Sequence, residues 1–138
     1  MEDQKQTKKQ KKILLIDDDK FLLDIYALKF SKAGYEPRTF DGTETALKAI
    51  TDGFIPDIIL VDIVMPGMDG SEFVAKIRQD KLVTNAVIIM LTNQGESEDL
   101  AKAQKNKVDG FIMKAMTIPS DVLVEVEKIC ASKAGKSS

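Results

Sequence analysis

Short apolar runs alternate along the chain with longer segments in which apolar residues recur at helical spacing. The runs "ILLI", "DIILV" and "AVIIML" are apolar without alternation, which is typical of strands buried on both faces. We therefore predict five strands, at 12–16, 36–40, 57–61, 86–91 and 109–112. The intervening segments predict five helices, at 19–33, 43–51, 70–79, 96–105 and 119–132.

Five strand and helix units in strict alternation predict an α/β fold with a parallel sheet covered by helices. Right-handed crossovers favour the doubly wound, flavodoxin-like order 2-1-3-4-5 for a chain of this size. Pro37 cannot donate to a ladder, so we place the second strand at an edge of the sheet. In this order strands 1 and 3 are neighbours, and ligands of such sheets bind beyond the carboxyl ends of the strands.

Local signals support these boundaries. Gly34 is a stop signal for the first helix, and Pro119 suits the first turn of the last helix. Cys130 belongs to an apolar stripe on that helix, which predicts a place in the core. We predict one domain at 12–132, preceded by a flexible basic tail at 1–11 and followed by a flexible tail at 133–138.

Composition narrows the possible functions. The 138 residues suit one domain, and the chain has no apolar run of membrane-spanning length and no secretory leader, so we expect a cytoplasmic protein without a membrane partner. Net charge is −2, and the first twelve residues hold five lysines against two acids, so the remainder is acidic and predicts no direct nucleic-acid binding. With one cysteine and no histidine, an internal disulfide and most transition-metal sites are excluded.

Acidic residues follow two strands that the predicted order makes neighbours. Asp17, Asp18 and Asp19 come directly after the first strand, and Asp62 ends the run "ILVD". These carboxylates should converge at one edge of the sheet, where they match the oxygen ligands that Mg²⁺ prefers. For Asp19 we expect a different role, that of the N-cap of the first helix.

Two further side chains end strands at the same edge. Thr92 closes "VIIMLT" and Lys114 follows "GFIM". A hydroxyl and an ammonium can both hold phosphoryl oxygens while a metal ion neutralises developing charge. Each residue alone has an ordinary interpretation, a turn residue or a solvated charge, so the convergence with the acids carries the prediction.

The stretches "LLIDDD", "ILVDIVMPGMDG", "VIIMLT" and "GFIMK" resemble the motifs of response-regulator receiver domains of two-component signalling, and the resemblance extends from Lys12 to about Ala131. It implies that Asp62 accepts a phosphoryl group from the phosphohistidine of a histidine kinase or phosphotransfer protein. It also implies a Mg²⁺ site, with Mn²⁺ as an alternative ion, formed by Asp17, Asp18, Asp62 and the backbone carbonyl of Val64. Thr92 and Lys114 would bind phosphoryl oxygens, and Phe111 would be the switch aromatic that moves with Thr92.

The sequence departs from the family's pattern in the loops around this site. Ala115 stands where the family usually has a proline joined by a cis peptide, which puts the reach of Lys114 in question. Asn93 replaces a small residue, and Ser71 replaces an apolar one. Val64 and Gln94 would flank the path of an attacking water and influence the lifetime of an aspartyl-phosphate.

No segment after the last helix resembles an output domain, so we expect a stand-alone receiver that acts through a downstream protein, with an excised fragment of a longer protein as the equal alternative. The family commonly uses the face formed by the fourth helix, fifth strand and last helix. The fourth predicted helix and the residues just after it carry Lys102, Lys105 and Lys107, whereas the last helix carries Asp121, Glu125 and Glu127. These opposite charges could support a phosphorylation-dependent homodimer, and ordinary solvated helix faces are the equally good alternative. Since the acceptor is the protein's own side chain, we do not expect an enzyme with a separate substrate.

Three alternatives stay open at this point. A haloacid-dehalogenase-like phosphatase is suggested by Asp17 and Asp19, two aspartates separated by one residue directly after a strand. Such an enzyme would use Asp17 as its nucleophile. A receiver-like interaction module without phosphorylation is suggested by Ala115 and Asn93. A flavin-binding protein of the same fold fits less well, since no phosphate-binding loop follows the first strand.

Overall fold

Five parallel strands form one sheet in the order β2-β1-β3-β4-β5, as predicted. The structure is a computed structural model that describes residues 10–92, 101, 105–114 and 117–137. The strands lie within one residue of their predicted positions, and their bounds are β1 (Lys12–Ile16), β2 (Glu36–Phe40), β3 (Ile58–Asp62), β4 (Val87–Thr92) and β5 (Gly110–Met113). The edge position of β2 is confirmed, and its Pro37 pairs with Ile13 of β1.

Four of the predicted helices are present in the described part of the chain; their bounds are α1 (Lys20–Lys32), α2 (Thr43–Thr51), α3 (Gly70–Gln79) and α4 (Pro119–Ser137). Most of the predicted helix 96–105 lies outside the described residues. Asp19 is the N-cap of α1, as predicted, since its side chain accepts a hydrogen bond from the amide of Leu22 (3.2 Å). Gly34 has φ +97° just after α1, a conformation that glycine adopts without a steric penalty.

The last helix is longer than the sequence pattern predicts. We predicted that it would end at 132 and leave a tail, but α4 continues to Ser137. Alanine and lysine dominate this stretch and favour helix, and one glycine at position 135 is tolerated. Lys133 also holds the helix to the sheet, because its ammonium donates to the carbonyl of Ala86 (3.2 Å) and to Asp109 (3.3 Å).

Each face of the sheet has its own apolar core. On one face, β-strand residues such as Leu14 and Val61 pack with α2 and with Phe73 of α3. On the other face, Leu15 and its neighbours pack with α1 and α4, and Cys130 lies half-buried against this second core. The three central strands β1, β3 and β4 are therefore buried on both sides, which is why their sequences are continuous apolar runs.

The sheet brings the predicted site residues to one edge because all five strands run in the same direction. The carboxyl ends of β1, β3, β4 and β5 meet there, and helices α1 and α3 begin at the same edge. Among the helices that the structure describes, none combines the length and the apolarity needed to cross a membrane.

Candidate functional site

Three carboxylates meet at the carboxyl edge of the sheet. In the register of β1 and β3, Ile16 pairs with Val61, so Asp17 and Asp62 leave their strands at the same level. One oxygen from each of Asp17, Asp18 and Asp62 lies within 4.8 Å of the others. The convergence that the sequence predicted is therefore present, and within the described residues it joins these three acids without Asp19, which caps α1.

Lys114 reaches into this cluster from the end of β5. Its Nζ lies 2.7 Å from Oδ2 of Asp17 and 2.9 Å from Oδ2 of Asp62. Asp17 and Asp62 are each only 1% exposed, whereas Asp18 is exposed. Three clustered carboxylates with one ammonium beside two of them leave a local excess of negative charge, and the two buried carboxylates are poorly screened by bulk water.

Burial and the neighbouring charges shift the pKa values of both Asp62 and Lys114. Burial raises the pKa of Asp62 above its ordinary value; the ammonium of Lys114 opposes this rise, and the charge of Asp17 adds to it. Burial alone would lower the pKa of Lys114, but its close contacts with the carboxylates of Asp17 and Asp62 outweigh burial, and the pKa is raised. Lys114 is therefore a fixed positive charge at neutral pH.

Backbone amides orient the two buried carboxylates. Oδ1 of Asp17 accepts a hydrogen bond from the amide of Asp19 (2.9 Å), and Oδ1 of Asp62 accepts one from the amide of Val64 (3.2 Å). The second oxygen of each carboxylate faces Lys114. The side chain of Val64 is exposed beside the cluster, and the role of its carbonyl as a metal ligand stays a prediction.

A close backbone contact at Gly70 brings α3 against the end of β3. The amide of Gly70 donates to the carbonyl of Ile63 (2.8 Å), and a Cβ at position 70 would overlap the carbonyl oxygen of Asp62 and lie 2.9 Å from the Cα of Ile63. Only glycine permits this approach. Gly70 belongs to the stretch "ILVDIVMPGMDG", but its physical role was not predicted; a turn followed by a helix start could have suggested it.

Thr92 and Phe111 differ sharply in exposure. Thr92 is fully buried at the end of β4, and its hydroxyl has no hydrogen-bond partner among the described residues. An unpaired buried hydroxyl is costly, so a partner arriving from the site would be favoured. Phe111 on β5 is 41% exposed, so its ring does not occupy a buried, inward position here. Their joint action as a switch stays a prediction.

Tyr26 lies in the core behind the acidic cluster, a position that was not predicted from the sequence. It is buried on α1, and burial raises its pKa to about 12, with the charge of Asp17 as the next cause and Lys114 acting in the opposite direction. Because helical side chains lean toward the N-terminus, a tyrosine two turns after Asp19 points back toward the site. Such a tyrosine can be found from sequence by its spacing from the N-cap.

Several residues with predicted roles cannot be placed. Asn93, Gln94, Lys102 and Ala115 lie outside the described residues, so the predictions for the two loops remain as they were. Ser71 is described, and its hydroxyl is buried without a hydrogen-bond partner in the described structure.

The donor set suits a divalent cation. Hard carboxylate oxygens at one edge of a pocket are typical Mg²⁺ ligands, and they leave further coordination positions for water and phosphoryl oxygens. The local charge excess of three carboxylates over one ammonium is also what a doubly charged ion would neutralise.

Comparison with known proteins agrees with this geometry. Residues 13–126 match the response regulator receiver domain. The chain belongs to this family. As a receiver, it is 33% identical over 112 residues to the chemotaxis protein CheY of Halobacterium salinarum, covering 80% of this chain and 89% of that one. It is 30% identical over 119 residues to the phosphate regulon transcriptional regulatory protein PhoB of Pseudomonas aeruginosa, covering 86% of this chain and 51% of PhoB. The receiver thus spans about half the length of several curated relatives that it matches.

Solved structures place the receiver in the same fold. CheY4 of Vibrio cholerae superposes with a TM-score of 0.79 at 26% identity, covering 88% of this chain and 99% of that one. A CheY-like receiver protein of Methanospirillum hungatei gives a TM-score of 0.79 at 27% identity, with 92% and 99% covered. The flavodoxin-like arrangement predicted from the sequence is confirmed.

Proposed function

We propose that this receiver is switched by phosphorylation of Asp62. The observation that carries the proposal is the geometry of that carboxylate, which is buried, oriented by the amide of Val64 and paired with Lys114 beside Asp17. A structural ion pair alone needs one acid and one base. Here a second buried acid, Asp17, contacts the same ammonium and the exposed Asp18 lies close by, an arrangement that is costly unless it serves a ligand.

In the proposed reaction, the Asp62 carboxylate attacks the phosphorus atom of a phosphohistidine. A bond from phosphorus to the aspartate oxygen forms, the bond from phosphorus to the imidazole nitrogen breaks, and the imidazole takes the electron pair. The ammonium of Lys114 would bind an oxygen of the transferred phosphoryl group. The hydroxyl of Thr92, which has no hydrogen-bond partner among the described residues, would donate to a phosphoryl oxygen as well. Mg²⁺ held by Asp17, Asp18, Asp62 and the carbonyl of Val64 would supply charge neutralisation at the phosphoryl group.

A phosphohistidine donor lies outside residues 1–138, because this sequence has no histidine. Membership in the receiver family points to a histidine kinase or a phosphotransfer protein. The acceptor is the receiver's own side chain, so we propose no turnover of a separate substrate.

The test is intact mass spectrometry after incubation with Mg²⁺ and acetyl phosphate. Wild-type protein should gain one phosphoryl group, and Asp62→Asn should gain none. Asp24→Asn, which removes an exposed acid on α1, is the matched control and should react like wild type. Chelation of the metal should suppress the adduct, and Mn²⁺ should restore it.

The same experiment separates the rival functions. A phosphatase with Asp17 as nucleophile would release phosphate in a reaction lost with Asp17→Asn and retained with Asp62→Asn. A receiver-like module without phosphorylation would give no adduct in wild type, with acetyl phosphate or with a phosphorylated donor. Either outcome would replace the proposed function.

We further propose that the exposed surface around β5 contacts a downstream protein. Phe111 and Val124 are partly exposed beside an open cavity of about 570 Å³. It is also lined by Asp121, Glu125 and Lys128 of α4, and Lys128 pairs with Glu125 (3.6 Å), which leaves Asp121 as its uncompensated acid among the described residues. This combination suits a partner with apolar and basic groups. Lys105 and Lys107 could supply the basic groups in a second copy, which gives a phosphorylation-dependent homodimer. The test is sedimentation with and without beryllium fluoride, a phosphoryl analogue. A rise in the sedimenting mass on addition of the analogue would support the dimer, and an unchanged monomer mass would refute it.

A further inference from the structure

The turn that leads into β5 is fastened to the flank of α3 by three side-chain hydrogen bonds. Arg78, in the last turn of α3, donates from Nη2 to the carbonyl of Lys107 (2.8 Å) and from Nε to the carbonyl of Asn106 (3.3 Å). Asn106 donates in return from Nδ2 to the carbonyl of Ser71 in the first turn of α3 (3.3 Å). The bonds run in both directions between the turn and one helix.

This turn needs external support. Lys107 has φ +56°, in the left-handed region that residues with a side chain rarely adopt. Carbonyls at the end of a helical turn also lack partners within the helix. The planar guanidinium of Arg78 holds two N–H donors in fixed relative positions, so it satisfies two successive carbonyls at once. A lysine ammonium at the same place lacks such a fixed pair of donors and could not do this.

The strand that ends next to Lys114 begins shortly after this turn. β5 has four residues and lies at the edge of the sheet, so it pairs only with β4. Its entry is fixed by Asp109, whose amide donates to the carbonyl of Ile88 (2.8 Å) and whose side chain accepts from the amide of Ile88 (2.8 Å). A strand has a nearly constant rise per residue, so a shift at its start is transmitted to the residue at its end.

The other end of α3 lies against the proposed phosphoacceptor, through the contact of Gly70 with the backbone of Asp62. One helix therefore connects the loop after Asp62 with the turn before β5. We infer that Arg78 is a positioning residue, whose guanidinium holds β5 at the place from which the ammonium of Lys114 reaches Asp62. The expected kinetic effect of Arg78 rests on the proposed function, but the expected effect on β5 does not.

The first test measures hydrogen exchange of the β5 amides in the metal-free protein. In Arg78→Gln, exchange at 110–113 should be faster by roughly tenfold, as expected for the loss of charge-assisted hydrogen bonds, while the amides of β3 keep their wild-type rates. Arg78→Lys keeps the charge without the fork and should behave like Arg78→Gln. Lys76→Gln is the matched control, because Lys76 lies on the same helix and pairs with Asp80 (3.2 Å) rather than with the turn. Wild-type exchange in Arg78→Lys, or equal acceleration in β3 and β5, would overturn the inference.

The second test is a double-mutant cycle on the rate of phosphorylation by acetyl phosphate. Arg78→Gln should slow the reaction by roughly tenfold, the scale of a small misplacement of a reacting group. In a Lys114→Gln background the same change should have no further effect, because Arg78 acts through Lys114. Equal slowing in both backgrounds would refute the positioning role. If wild-type protein forms no adduct with acetyl phosphate or with a phosphorylated donor protein, the proposed function fails, and the exchange measurement alone decides the role of Arg78.

Discussion

Replacing Lys114 by methionine should destabilise the metal-free receiver far more than the loss of an ordinary surface lysine would. The ammonium is 2.7 Å from Asp17 and 2.9 Å from Asp62, and its side chain is only 11% exposed. Methionine occupies similar space but leaves two buried carboxylates facing each other without a cation. The variant therefore isolates the electrostatic contribution of the ammonium from its packing.

The magnitude can be worked out from the two contacts. At an effective dielectric constant of about 20, each pair of unit charges about 3 Å apart attracts with roughly 5 kcal/mol, part of which only offsets the cost of burying the ions. Removing one partner of a buried pair typically costs about 3–5 kcal/mol, and we expect a loss of this size at pH 7. For a domain of this size the melting temperature should fall by about 10 °C or more.

The loss should depend on pH and on Mg²⁺ in predictable directions. The pKa of Lys114 is raised above its ordinary 10.5, so its stabilisation in wild type is fully present below about that pH and disappears as pH rises through the higher folded value. In acid, the gap between Lys114→Met and wild type should narrow as pH falls through the raised pKa of Asp62, because protonated carboxylates need no cation. Mg²⁺ should stabilise the variant more than wild type, since the pocket of the variant is more negative.

The assay is urea denaturation at pH 5, pH 7 and pH 11, with a chelator or with Mg²⁺. Lys20→Met is the matched control: its ammonium pairs with Asp41 at 3.4 Å, but the two side chains are 79% and 51% exposed, so its loss should cost less than about 1 kcal/mol. Equal stability of Lys114→Met and Lys20→Met at pH 7 without metal would refute the reasoning. A gap to wild type that widens in acid would refute it as well.

Three smaller predictions concern the elements around the site. Gly70→Ala should cost about 1–3 kcal/mol in urea denaturation, because its Cβ would press on the backbone of Asp62, whereas Gly42→Ala meets nothing closer than 3.7 Å and should cost less. Asp69→Ala removes the capping box of α3 and should cost about 1 kcal/mol in the same assay; a loss near zero would mean that the loop contacts alone define the start of α3. The pKa values of Tyr26 and Tyr35 are each raised to about 12, so the free energy of unfolding should fall as pH rises from 10 toward 12. An absorbance titration of the native protein should show tyrosinate only near the upper value, and Tyr26→Phe should leave a single titrating tyrosine.

Much of this architecture could be predicted from the sequence because burial on both faces leaves a strong local signal. Runs such as "ILLI" mark β1 and β3 as central strands, and the parallel order then brings Asp17 and Asp62 to one edge without any knowledge of contacts. The predicted end of α4 was wrong because the apolar stripe of this helix ends before the helix does, and a contact with a distant part of the chain anchors the helix beyond position 132. That anchor is the bond from Lys133 to Ala86, 47 positions earlier, and sequence periodicity carries no such information.

The parts of the site that the sequence did not predict are those that depend on close approach. The pattern placed Lys114 at the correct edge, but whether its ammonium reaches Asp17 as well as Asp62 is decided by the position of β5. The role of Gly70 depends on a backbone contact with Asp62, and that of Arg78 on a turn 28 and 29 positions away. These are long-range distances, and residue types alone do not determine them.

Stability and reactivity are opposed in this pocket. Burial raises the pKa of Asp62, which means that keeping this carboxylate ionised destabilises the folded protein, yet an ionised carboxylate is what a phosphoryl acceptor must offer. Lys114 limits the cost without removing it, since Asp17 contacts the same ammonium. A bound divalent cation and a transferred phosphoryl group would each add the missing contacts, so the proposed signalling state can be the more fully paired one. The buried hydroxyl of Thr92 on the neighbouring strand has no hydrogen-bond partner among the residues described, and a transferred phosphoryl group would supply one.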